Sequence, residues 1–355
     1  MKKLLHLVLL CALISFGACK KTEQPLLNNN DPSAALSTSS GLPPLSVITI
    51  AGMKSTQGFA DGKGKEARFD FPHGIDIAEN GDLYVADLFN NAIRKITPDG
   101  TVSTVKFPTA IDGQKLTFPE RVLFSKDGTM NVLSNYAITP DSVHKLWILK
   151  PSGELITPKS QVNYYTYRYY NIAIDPFSNY LQLCGYRYVT GHETQQQGFI
   201  ESGEIVNGIM GQHPYTPPRD SLNTESLESP AVSGIYCGNN GVKYIVIRRR
   251  FIYKLTKSGV FTRIFRNIEL KGINDLVATK DSRTLYLTVN GGDIISISNN
   301  KLTKLVGVDG DFFDPDPDGV GKEAFVVANF IALSKDESTL YFTDGNETVR
   351  KLILR

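Results

Sequence analysis

Residues 58–105 read GFADGKGKEARFDFPHGIDIAENGDLYVADLFNNAIRKITPDGTVSTV. Four short apolar runs stand in this stretch, around PHGIDI, DLYVA, AIRKI and TVSTV, with Asn80-Gly81 and Asp99-Gly100 among the breaks. Asn-Gly and Asp-Gly between alternating apolar runs mark hairpins, because tight turns need residues that tolerate positive φ. The same wording returns at the other end of the chain. DGKGKEARF at 61–69 becomes DGVGKEAF at 318–325, GDLYVAD at 81–87 becomes STLYFTD at 338–344, and AIRKI at 92–96 becomes TVRKL at 348–352. Looser copies fill the interval: FPERVLFSKDGTMNVLS (118–134), YYNIAIDPFSNYLQLCG (169–185), VSGIYCGNNGVKYIVI (232–247) and GINDLVATKDSRTLYLTV (272–289).

Each copy supplies up to four short strands, and aligning them on Ile75, Val122, Ile172, Ile235, Leu276 and Ile331 gives six starts. Their spacing is near the roughly 40–50-residue period of propeller blades. The pattern predicts an all-β, six-bladed β-propeller of four-stranded antiparallel blades. The last copy ends at Arg355 after three strands, whereas VITIAG at 47–52 precedes the first copy without a blade of its own. This N-terminal strand is expected to complete the last blade and so remove an exposed edge.

Residues 58–105 resemble the NHL repeat, and 318–354 are a second clear match, while 118–306 agree only in pattern. The resemblance implies a six-bladed propeller. It also implies a range of functions, since NHL propellers mostly bind protein, peptide, RNA or glycan and a few related six-bladed propellers are enzymes. The site therefore has to decide among them.

Met1-Lys2-Lys3 and the apolar run Leu4–Ile14 form a secretion signal too short to span a bilayer. It ends in Ser15-Phe16-Gly17-Ala18-Cys19, which resembles the lipobox of bacterial lipoproteins with Phe16 in place of the usual Leu. That resemblance implies cleavage after residue 18 and acylation of Cys19 with palmitate-like chains, and Lys20-Lys21, where an Asp at the second position would favour inner-membrane retention, point to the outer membrane. Which side of that membrane the body faces is left open. Residues 19–45 follow as a polar, Asn-, Ser- and Pro-rich tether, and 46–355 form the propeller. Net charge is +2, and it falls to zero once Lys2 and Lys3 leave with the signal. Such a balance offers nothing to a phosphate backbone, so nucleic acid is excluded as a partner. Cys184 and Cys237 both sit in apolar strand patterns, where free buried thiols are the commoner outcome.

In a propeller the loops that lead into the innermost strands line one mouth of the channel. Alignment puts His73, Glu120, Tyr170, Ser233, Asn274 and Asn329 in equivalent positions there, a polar ring suited to sugar hydroxyls or a peptide terminus. One residue further in come Gly74, Arg121, Asn171, Gly234, Asp275 and Phe330. Glu120, Asn171 and Asp275 match the oxygen-ligand types of gluconolactonase-like propellers, which implies, as the alternative, one divalent cation and a metal-dependent lactonase or lyase. Arg121 beside Glu120 argues against it by neutralising that carboxylate. His73, His144, His192 and His213 are too dispersed for a zinc site. The recurring Asp87, Asn90, Arg94 and Asp344, Arg350 read as hydrogen bonding between strands rather than catalysis. No nucleophile elbow, HExxH or phosphate loop appears.

The runs NYYTYRYY (163–170) and YRY (186–188) hold seven of the 16 Tyr, too many for one face of a strand. Some of Tyr164, Tyr165, Tyr167, Tyr169 and Tyr170 are therefore expected on the surface beside Arg168 and Arg187, as a recognition patch. Arg248-Arg249-Arg250 reads as a solvated strand edge, and the Pro-rich insertion 207–229 as an overhang at a mouth. The best reading is a lipid-anchored, monomeric envelope module that binds a glycan, peptide or protein without a cofactor. The other readings are the cation-dependent enzyme and a purely structural scaffold of an envelope complex.

Overall fold

Turn chemistry sets the pairing within the blades. Gly81, Gly128 and Gly241 adopt φ of 88°, 82° and 75°, and their amides bond back to Ala78, Ser125 and Gly238, so the flanking strands leave each turn antiparallel and in register. The structure is a computed structural model. It describes residues 41–135, 144–158, 167–189, 192–203, 205–206, 209–210, 213–215, 231–307 and 318–355. The signal, Cys19, most of the tether, Tyr164, Tyr165 and most of the 207–229 insertion lie outside the described residues.

Six blades form, each with four main strands. Their innermost strands are Pro72–Ile77, Pro119–Phe124, Tyr167–Ile174, Val232–Cys237, Asp275–Ala278 and Ala328–Leu333. Each innermost strand contacts the next, and the sixth contacts the first, which closes the ring around a channel. The strand Ser46–Gly52 pairs antiparallel with Thr348–Ile353, Val47 opposite Leu352 and Gly52 opposite Thr348, and completes the sixth blade. The residues used for the alignment prove equivalent: Ile75, Val122, Ile172, Ile235, Leu276 and Ile331 face Val85, Val132, Leu183, Ile245, Leu287 and Phe342 on the second strands.

The core is six interfaces rather than one centre. Each hydrophobic cluster joins two neighbouring blades, as Leu276 and Ala278 join the fourth blade's Tyr244 and Val246 while Val277 turns to the sixth blade's Ile331 and Phe342. Strands buried on both faces explain why the runs read as nearly continuous apolar stretches. Cys184 and Cys237 are free thiols in the cluster between the third and fourth blades.

The repeated charged residues fasten the first and sixth blades. Arg94 is fully buried, with Nη1 2.8 Å from Asp87 and Nη2 2.8 Å from Asp61. Asp61 also accepts from the Thr104 amide at 3.1 Å and hydroxyl at 2.8 Å, which ties the outer strand to the third. The sixth blade repeats the device with Arg350, Asp344 and Asp318. There Asp318 holds the amide and hydroxyl of Thr49, both at 2.8 Å, so the clamp grips the strand that closes the ring. In both copies the DGxGKEA segment also lays a two-residue strand, Gly62–Lys63 or Gly319–Val320, along the blade's outer edge.

Candidate functional site: the channel and its two mouths

All innermost strands run the same way, so the channel has a leading mouth where they begin and a far mouth where they end. Near the leading mouth the ladder is interrupted at one level in five blades, between Pro72 and Ile75, Pro119 and Arg121, Tyr169 and Asn171, Val232 and Gly234, and Ala328 and Ile331. These bulges re-aim side chains, and His73, Glu120, Tyr170, Ser233 and Asn329 are the residues in them. In the fifth blade, Asn274 stands just ahead of the strand.

The ring residues do not converge on one point. His73 lies with Nδ1 2.8 Å from the Glu120 carbonyl, and burial holds its imidazole below the usual range. The Glu120 carboxylate turns to His144 at 3.5 Å. Tyr170 is exposed and tilts against Tyr186, with ring centroids 5.4 Å apart. Ser233 and Asn274 are joined through Arg249, whose amide donates to the Ser233 hydroxyl at 2.9 Å and whose guanidinium reaches the Asn274 carbonyl oxygen. Arg249 thus joins two mouth residues while staying exposed, in the turn 248–250 rather than on a strand edge. Asn329 accepts the Thr288 hydroxyl at its backbone carbonyl, 2.6 Å away.

One residue deeper the channel is blocked. Arg121 crosses to Asp275, Nη1 at 2.9 Å and Nη2 at 3.3 Å from the two carboxylate oxygens, and both side chains are buried. Asp275 also accepts the Ile331 amide at 3.2 Å, and the Phe330 ring covers the guanidinium at 4.7 Å. Gly74 makes room, since a Cβ there would stand 2.7 Å from the Glu120 carbonyl oxygen and 2.8 Å from the Arg121 Cα. Arg121 therefore neutralises Asp275 across the ring, not Glu120 beside it, because neighbouring residues on a strand point to opposite faces. Asn171 uses its Oδ1 on the Ile172 amide at 2.8 Å. Glu120, Asn171 and Asp275 each hold a different partner, and this arrangement does not fit a cation shared among the three.

The Tyr-Arg segment is divided by the strand. Tyr169 is buried and donates its hydroxyl to Glu201 at 2.9 Å, with an edge contact to Phe199. Arg168 is half-buried. Tyr167 begins the strand Tyr167–Ile174.

Two features escaped the alignment. At the leading mouth a chain of rings runs from Phe118 to Phe89 (6.4 Å between centroids), Phe71 (5.5 Å), His73 (5.9 Å) and Phe330 (4.2 Å). Phe89 is 49% exposed at the ridge crest. Phe71 and Phe118 hold φ of 57° and 43°, a left-handed backbone that is unusual for bulky residues and concentrates at functional sites. Both are fixed by side chains accepting their amides, Glu347 for Phe71 at 2.7 Å and Asn91 for Phe118 at 2.8 Å.

The second feature is a pocket of about 290 Å³ on the far side of the Arg121–Asp275 floor. Its walls are mixed, with aliphatic Ile75, Leu123, Ile172, Ile235 and Leu276 beside polar Tyr236, Asn239 and Ser334, and none of the six ring residues lines it. Asp76 looks into it, and burial pushes its carboxyl up to about 6 against the pull of the Phe124 amide, which donates at 2.8 Å. The sequence held a signal for this. At the position after Ile75 the other five copies carry Leu123, Ala173, Tyr236, Val277 and Ala332, and only the first carries a charge.

The NHL repeat family model matches residues 69–95, the heart of the first blade. No curated protein sequence matches the chain significantly. Among solved structures, an auxiliary nutrient binding protein from Bacteroides ovatus ATCC 8483 is similar at 16% identity and a TM-score of 0.63, covering 87% of this chain and 76% of that one. A second auxiliary nutrient binding protein, from Bacteroides thetaiotaomicron VPI-5482, gives 12% identity and a TM-score of 0.61, with 87% and 76% covered. Virginiamycin B lyase from Staphylococcus aureus gives 15% identity and a TM-score of 0.51, with 88% and 99% covered. At such identities the likeness is one of fold. The chain is a six-bladed β-propeller with an NHL repeat in its first blade.

Proposed function

We propose that this protein is an envelope-anchored binding module that holds a glycan at the leading mouth. The observation that carries the reading is the half-buried aromatic ridge Phe118–Phe89–Phe71–His73, exposed at its Phe89 crest, beside a ring of polar bulge residues. Flat rings stack on the C–H face of a sugar while neighbouring polar groups meet its hydroxyls, the combination of apolar body and few polar groups found in ligand sites. Tyr170 and Tyr186 form a second aromatic pair in the third blade. The fold shared with two auxiliary nutrient binding proteins agrees with a binding role. Cys19, after a signal-like segment, supplies the proposed outer-membrane anchor, and residues 19–45 the tether.

Calorimetry of the full chain against a panel of oligosaccharides tests this reading. A saturable ligand is expected whose affinity falls at least tenfold in Phe89→Ala and is kept in Phe177→Ala, an exposed ring elsewhere. A flat panel, or a ligand indifferent to Phe89, overturns the glycan reading and points to a peptide or protein partner.

A further inference from the structure

The far-mouth pocket lies apart from the leading mouth, and its chemistry is independent of any glycan bound there. Three charged side chains line its interior, Arg121, Asp275 and Asp76. The first two neutralise each other through two hydrogen bonds, which leaves Asp76 as a carboxylate with no ion pair among the described residues, in a pocket it shares with the aliphatic Ile75, Leu123 and Ile172. The rim is balanced within itself, since Lys335 pairs with Glu79 and the remaining Lys280 and Glu337 carry opposite charges. Lys335 is 2.5 Å from Glu79 Oε1 and donates to the Glu79 carbonyl, Lys280 donates its ammonium to the Lys335 carbonyl at 2.6 Å, and Glu337 accepts the Lys280 amide at 2.5 Å.

The structural duty of Asp76 is to accept the Phe124 amide. A neutral Asn accepts the same N–H without the cost of burying a charge. The raised carboxyl shows that this cost is felt in the folded chain. Tyr236, which also lines the pocket, gives its hydroxyl to the Ala278 carbonyl at 3.2 Å and stays neutral, burial pushing it up to about 12. A carboxylate kept at such a position marks a site for a ligand that compensates it.

We propose that the far-mouth pocket binds a small organic cation, a primary ammonium on a compact apolar body, with Asp76 as its counter-ion. The aliphatic wall residues take the body, Asp76 takes the ammonium, and the Arg121–Asp275 floor limits depth. A carboxylate ligand meets like charge at Asp76, and a neutral alcohol gains only the walls. The volume of about 290 Å³ suits one ring or a short alkyl chain.

The probes are benzylammonium, cyclohexylammonium and hexylammonium, each beside its alcohol and carboxylate analogue, titrated into the full chain by calorimetry. At least one ammonium is expected to bind tenfold or more tightly than its alcohol, with its carboxylate weakest. Asp76→Asn is expected to erase that preference, with its fold checked by circular dichroism. Phe89→Ala is expected to leave it intact, which separates this site from the leading mouth. The charge series on the unaltered chain is decisive by itself: equal binding of ammonium and alcohol, stronger carboxylate binding, or no saturation by any ammonium up to 10 mM (about 2.7 kcal/mol of binding free energy) overturns the proposal. So does an ammonium preference that survives Asp76→Asn.

Discussion

Arg121 of the second blade and Asp275 of the fifth clasp one another across the channel, at 2.9 and 3.3 Å. Blades two and five stand opposite in a ring of six, so the pair braces the propeller across its diameter as well as closing the pocket floor. Removing one partner strands a buried charge. Arg121→Ala or Asp275→Ala is expected to cost about 3–5 kcal/mol in urea unfolding. The double change Arg121→Met with Asp275→Leu is expected to cost far less, because the buried Nε of Arg121 already lacks a hydrogen-bond partner among the described residues. Single changes costing under about 1 kcal/mol would show that the brace contributes no more than a surface pair.

The two Asp-Arg clamps differ in what they hold. Asp318→Ala removes the bonds to Thr49 and Arg350, and is expected to speed amide exchange in 46–52 and 348–353. Asp61→Ala acts on Thr104 and Arg94, and its effect is expected to stay within the first blade. Asp61 is half exposed and Asp318 22% exposed, so Asp318→Ala is the costlier change, on the order of 2–3 kcal/mol. Equal exchange in 46–52 for both variants would refute the assignment.

Lys351 is buried between its cross-strand neighbours Tyr341 and Ile48, and burial lowers its ammonium from 10.5 to about 8. Below pH 8 both folded and unfolded chains carry the proton, and the folded chain bears the full desolvation cost. Between pH 8 and 10.5 the unfolded chain binds more proton, so this lysine's contribution to stability improves as pH rises. Lys351→Met is expected to raise the melting temperature at pH 7, with an advantage that narrows by about pH 10. A Tyr341→Phe background removes the titration of the neighbouring phenol. An advantage independent of pH would mean that packing, not charge, is the cause.

Ser282 carries two local costs. Its φ is 58°, and its hydroxyl is buried without a hydrogen-bond partner among the described residues. Ser282→Gly relieves both and leaves the backbone carbonyl that accepts the Tyr244 hydroxyl at 3.3 Å. A gain of about 1 kcal/mol is expected in urea unfolding, and a loss would show that the hydroxyl stabilises the turn.

The architecture was legible because repeats, turns and alternation all operate within one blade. Asp61, Arg94 and Asp87 could be assigned to strand bonding because Asp318, Arg350 and Asp344 recur with them. VITIAG could be assigned to the last blade because that blade was short of one strand. The site was only half legible. Alignment placed His73, Glu120, Tyr170, Ser233 and Asn329 at one level but could not show that bulges turn them apart. The Arg121–Asp275 pair joins blades with no sequence proximity, and periodicity carries no information about which side chains meet across a channel. Phe71, Phe89 and Phe118 resemble ordinary core aromatics until the fold brings two preceding loops and one turn onto a single surface.

The strand Ser46–Gly52 is among the first parts of the propeller to be synthesised, and its partner Thr348–Ile353 is the last. Five blades have every one of their four main strands before Thr348–Ile353 emerges, while the sixth must wait for a contact spanning nearly the whole propeller. Such contacts are slow to form because the intervening loop must close first. Until then Ser46–Gly52 offers an unpaired edge to any other strand nearby. Synthesis order thus makes the seam the point of greatest exposure in the life of the propeller, and loss of the strand Thr348–Ile353 would leave that edge permanently open.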